Sequence, residues 1–90
     1  MVAVTVDIPG ANKQLYEQVA AEVFPDGTLP AGWLVHLAGP TDNGWRVVNV
    51  VPSQEKFEAF ARERLFPAAR RVGSATPQLT FFSVQRLIRS

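Results

Sequence analysis

Val2, Val4, Val6 and Ile8 stand at alternating positions, and this period of two predicts a β-strand that Pro9-Gly10 ends. The period then changes. Asn12 is a suitable N-cap, Leu15, Val19 and Val23 form a helical stripe, and Tyr16, Ala20 and Phe24 lie beside it. A helix through Phe24 follows, stopped by Pro25-Asp26-Gly27, with Pro30 and Gly32 keeping the next loop irregular. Residues 33–38 and 45–51 read as two further strands. They are joined by Gly39-Pro40-Thr41-Asp42-Asn43-Gly44, in which Asn-Gly is a strong hairpin signal. Pro52-Ser53 offers a second N-cap, and Phe57, Phe60, Ala61 and Leu65 recur at helical spacing. Pro67 is expected to kink this helix or to start a short second one ending at Gly73, before a last strand from Leu79 to about Ile88. The predicted class is α+β: a ferredoxin-like βαββαβ single domain over residues 1–90, with a four-stranded antiparallel sheet and both helices on one face.

Strand alternation assigns side chains to the two sheet faces. The Val2–Ile8 row is the natural partner of the helices, and Trp33, Val35, Leu37, Val48, Val50, Phe82 and Val84 are expected to join it. The opposite face is then expected to carry Ala3, Thr5, Asp7, Leu34, His36, Trp45, Val47, Asn49, Leu79, Phe81, Ser83 and Gln85. Two helices cover one face only, and an exposed apolar patch of this size is uncommon on a soluble monomer. A second copy of the chain is the simplest cover, giving a homodimer with a pocket between two sheets.

Composition narrows the classes. Hydrophobic residues make up 47% of the 90, which excludes a disordered chain, and there is no cysteine for disulfide or thiolate chemistry. No apolar run approaches the ~18 residues of a membrane helix, and no signal peptide is evident, so a soluble cytoplasmic protein without membrane association is expected. The net charge of +1 gives no field for nucleic acid. Residues 1–61 carry net −4 and residues 62–90 net +5, the latter from six arginines without interleaved aromatics. That asymmetry suits a solvated, ion-paired helix face better than an RNA site. Phosphate loops, nucleophile elbows and Cys/His clusters are absent, so no cofactor and no metal are expected.

A face mixing Asp7, His36, Asn49, Thr5 and Ser83 with Leu34, Trp45, Val47 and Phe81 has the make-up of a pocket for a small aromatic or apolar ligand. His36, the only histidine, is the natural proton acceptor near neutral pH. Asp7 is placed to orient it, and Asn49 to donate to an oxyanion. Each has a plainer reading: His36 as a satisfied strand residue, Asp7 as a turn former before Pro9-Gly10, the tryptophans as packing, and Arg46 as a helix-side surface charge.

The stretch Gly44-Trp45-Arg46-Val47-Val48-Asn49-Val50, residues 53–60 and Glu63-Arg64-Leu65-Phe66-Pro67-Ala68 together resemble the dimeric α+β barrel superfamily. They are similar in particular to its small antibiotic biosynthesis monooxygenase-like members. The resemblance implies a dimer with a pocket in each protomer and a cofactor-free oxygenation, in which the protein deprotonates an electron-rich aromatic or polyketide-like substrate. His36, Asn49 and Trp45 match the residue types used there. A non-catalytic metabolite-binding or accessory protein is the alternative. The haem-degrading branch fits less well: it has an Asn on the first strand where Asp7 stands, and a late-helix His where this chain has arginines.

Overall fold

A computed structural model describes all residues, Met1–Ser90. Strand β1 (Val2–Pro9) leads to helix α1 (Lys13–Val23), then to the hairpin β2 (Val35–Thr41) and β3 (Gly44–Val51). Helix α2 (Gln54–Phe60) passes through a π-helical turn (Ala61–Leu65) into α3 (Phe66–Arg71), and β4 (Gln78–Ser83) completes the sheet. The sheet is antiparallel throughout, in the order β2-β3-β1-β4, and the helices pack on one face. This is the ferredoxin-like α+β arrangement. No helix is long and apolar enough to cross a membrane.

Local chemistry sets the boundaries. The Asn12 side chain accepts from the Leu15 amide at 2.9 Å and the Ser53 hydroxyl from the Lys56 amide at 3.2 Å, so both caps act as expected. Pro67 has no amide to donate back along the helix, and the preceding turn widens: Phe66 N–H reaches the Ala61 carbonyl, five residues back. Two strand ends differ from expectation. β2 runs on through Gly39-Pro40-Thr41, because an edge strand has one unpaired side where Pro40 costs no ladder bond. The hairpin therefore turns at Asp42-Asn43, with Gly44 inside β3, where a Cβ would collide with the Ile8 carbonyl and the Gly10 amide. β4 stops at Ser83 rather than near Ile88: Val2 pairs with Ser83, Val84 N–H reaches the Met1 carbonyl, and residues 84–90 form no strand.

The largest correction concerns the faces. Val4 lies opposite Asn49, Val6 opposite Val47 and Ile8 opposite Trp45. His36 faces Asn49 and Phe81 faces Val4. The helix side of the sheet thus carries His36, Trp45, Val47, Asn49, Leu79, Phe81 and Ser83, all expected on the other side. Val35, Leu37, Val48, Val50 and Phe82 lie outside with Ala3, Thr5 and Asp7. The cause is parity. Both faces of β3 are apolar, Val47 and Val51 on one and Val48 and Val50 on the other, so alternation alone does not say which row joins Val4.

Candidate functional site

The candidate site lies between sheet and helices inside one chain, not between two sheets. α1 presents Tyr16, Ala20 and Val23 toward β1 and β3, while Phe57, Phe60 and Leu65 close the far side. They surround an inner cavity of about 30 Å³, room for roughly one water. Its lining is apolar apart from Tyr16, His36 and Asn49.

These three form a chain of short hydrogen bonds. His36 Nδ1 lies 2.7 Å from Asn49 Oδ1, and His36 Nε2 lies 2.6 Å from the Tyr16 hydroxyl. An amide oxygen only accepts, so Nδ1 carries the imidazole proton and Nε2 is the bare acceptor of the Tyr16 O–H. The register creates this chain: Asn49 and His36 are cross-strand partners, and Tyr16 crosses above them on α1. Asn49, 3% exposed, fixes the tautomer while its amide nitrogen keeps its hydrogens beside the cavity. Trp45 stacks on Tyr16 with centroids 5.3 Å apart, and its buried indole N–H has no acceptor within the chain.

Burial, and secondarily the carboxylate of Glu17, push the Tyr16 phenol above its ordinary value. Tyr16 is therefore a neutral hydroxyl near neutral pH, not a resident phenolate. It is the only tyrosine, so alkaline titration of the tyrosinate absorbance band reads it alone. The expected midpoint lies above 10.0; one at or below 10.0 would place the phenol in open water. The folded chain holds this proton to higher pH than the unfolded chain does. Stability should consequently fall as pH rises past 10.0 through the folded midpoint.

Outside the cavity, a groove of about 320 Å³ between α1 and residues 27–29 reaches the same Tyr16–His36 pair from solvent. A larger cleft of about 590 Å³ runs past Phe24 and Phe60 toward Lys56 and Arg64. Phe24 lines all three spaces.

The other sequence candidates divide. His36, Val47 and Asn49 line the cavity, and Trp45 and Phe81 pack around it. Asp7 does not reach His36. It lies on the outer sheet face, where it accepts from Arg46 Nε at 2.6 Å and, by that bond and its charge, holds the guanidinium more firmly protonated. Arg46 accordingly faces outward, not toward the helices. Thr5 is also on the outer face, opposite Val48 and Thr80. Leu34 is largely exposed ahead of β2, and Ser83 is exposed at the end of β4. The sequence shows Tyr16, Phe24 and Phe60 as members of the helical stripes, Tyr16 with only a weak site role. Their signal was the aromatic edge of each helical stripe, which by itself reads as core.

No family model matches the chain, and no curated protein matches it in sequence. Among solved structures, the chain matches one described as "a putative antibiotic biosynthesis monooxygenase" from Deinococcus radiodurans. The TM-score is 0.67 over 100% of this chain and 98% of that one, at 11% sequence identity. At that identity the likeness is one of fold.

Proposed function

We propose that the chain is a small-molecule-binding protein that assembles as a dimeric barrel and acts as a cofactor-free monooxygenase on an electron-rich aromatic substrate. The observation that carries this reading is the Asn49–His36–Tyr16 chain, which connects an apolar interior to a solvent-open groove. The likeness in fold to the Deinococcus protein supports it.

The chemistry follows from the proton positions. A substrate acid seated against Tyr16 gives its proton to the phenol oxygen as the phenol's own proton moves to His36 Nε2. Because the phenolate is disfavoured, transfer is concerted along the chain. Asn49 Oδ1 holds the resulting imidazolium by its Nδ1–H. For an anthrone-like CH2, the carbanion then adds O2 to form a hydroperoxide anion. That anion takes the proton back from His36, loses water and leaves a carbonyl. One O2 is consumed, one water is released, and the substrate supplies all the electrons. Oxygen uptake and quinone absorbance with a simple anthrone test this directly: the protein should accelerate both, and no acceleration over buffer across a panel of anthrones and phenols would end the oxygenase reading.

A second reading rests on the cavity, which at about 30 Å³ is far below the ~300 Å³ at which ligand pockets begin. It makes the groove a binding site for a metabolite and the three-residue chain a means of holding α1 on the sheet. Saturable binding without turnover would select it.

Dimerisation is part of the same proposal. On the outer face Leu37 is 56% exposed and Phe82 59%, with Val48 between them and Val35 beside Leu37 on β2, while Asp7 and Arg46 mark one end. A second copy laid on this face would bury the apolar centre. Sedimentation at micromolar concentration should show twice the 9.9 kDa chain mass; a well-folded monomer would remove this part of the proposal.

A further inference from the structure

Phe24 occupies an unusual position for a residue at the end of a helix. It caps α1, its N–H on the Ala20 carbonyl, and the chain turns directly after it through Gly27, whose positive φ of 72° completes the reversal. Its ring nevertheless points inward and sits among three others. It stacks on Phe60 at 5.9 Å and 17°, and meets Trp33 edge-on at 5.9 Å and His36 edge-on at 5.2 Å. One stacked and two edge contacts are the geometry an aromatic guest would seek. The same ring is the single side chain shared by the inner cavity, the groove at Tyr16 and the cleft at Lys56. Moving it would join all three spaces at the imidazole.

We propose that Phe24 is an internal plug occupying a slot for a single-ring phenol, so that the ligand's ring replaces the Phe24 ring against the Phe60–Trp33 pair and its hydroxyl meets the Tyr16–His36 pair. This rests on the reading of Tyr16, His36 and Asn49 as the site and adds the class of ligand. The slot is the space of the Phe24 ring itself, bounded by Phe60 and Trp33, and its polar groups lie on the His36 side. Space of about 150 Å³ lined by apolar side chains suffices for a benzene ring. The present cavity of about 30 Å³ does not provide it until Phe24 leaves.

The test is phenol binding to the full-length wild type, Phe24→Leu and Phe24→Ala, followed by NMR at the His36 imidazole protons and the two tryptophan indole protons. Phe24→Ala should bind phenol at least about tenfold more tightly than wild type, with Phe24→Leu between them, because the plug no longer competes. His36 and Trp33 resonances should shift by ring current. Thermal denaturation covers poor folding of Phe24→Ala: phenol should raise its Tm and leave that of wild type nearly unchanged. Equal affinity in all three proteins, or binding that leaves the His36 protons unmoved, would overturn the plug. Oxygen uptake separates this from the parent reading: unchanged phenol affinities beside His36-dependent turnover defeat the plug alone, whereas graded phenol affinities without any turnover defeat the oxygenase alone.

Discussion

Phe57→Ala is expected to destabilise the protein by about 3–5 kcal/mol, the range for removing a fully buried aromatic side chain. Phe57 is 1% exposed and anchors α2 to two other parts of the chain. Its ring lies 5.5 Å from that of Trp33 ahead of β2, 5.7 Å from Phe60 in its own helix and 6.0 Å from Phe81 in β4. A void there has no simple collapse, because the neighbouring rings are held by separate elements. A chain of 90 residues has only about 5–13 kcal/mol to lose. Thermal or urea unfolding followed by circular dichroism should therefore show Tm lower by at least about 12 °C, or no cooperative transition. A loss under about 1 kcal/mol would mean that the aromatic cluster is not packed as described.

His36→Ala should carry the largest effect on chemistry, a fall of about 10²–10⁴-fold in the rate of substrate-dependent oxygen uptake at saturation. That corresponds to about 2.7–5.4 kcal/mol of lost barrier reduction. Removing the imidazole deletes the proton acceptor and leaves Asn49 Oδ1 buried without its donor, so folding must be checked beside the rate. Tyr16→Phe is the cleaner companion. It keeps the stack on Trp45 and removes only the hydroxyl that bridges ligand and imidazole. Both variants folded and both fully active would defeat the proton relay.

Local signals in the sequence located nearly every element, since caps, prolines and glycines act within a few residues of where they stand. Asn12 and Ser53 start the helices they predict, and Pro67 disturbs its helix as expected. What local pattern did not hold was the relation between strands. Val47-Val48 and Val50-Val51 read equally well either way up, and one residue of offset moved His36 and Asn49 from an outer face to the cavity wall and Trp45 into the core beside it. The grouping of His36 with Asn49 survived, because both shifted together. Asp7 was lost from it because β1 kept its parity while its neighbours changed. Tyr16 and Phe24 were illegible for another reason: whether an aromatic on a helical stripe fills a core or walls a site depends on what the opposite strand presents.

The sheet has two edges of different character. β4 offers an uninterrupted backbone from Gln78 to Ser83, whereas β2 carries Pro40 where a further strand would need an amide. Fibre growth by strand addition consumes one edge of each chain and must regenerate an equivalent one at the other end. Here the second end is blunted. Chains that meet edge to edge can stop at a pair but lack a matching surface on which to propagate, so a small apolar protein that must leave one sheet face sticky is guarded against polymerising through its backbone.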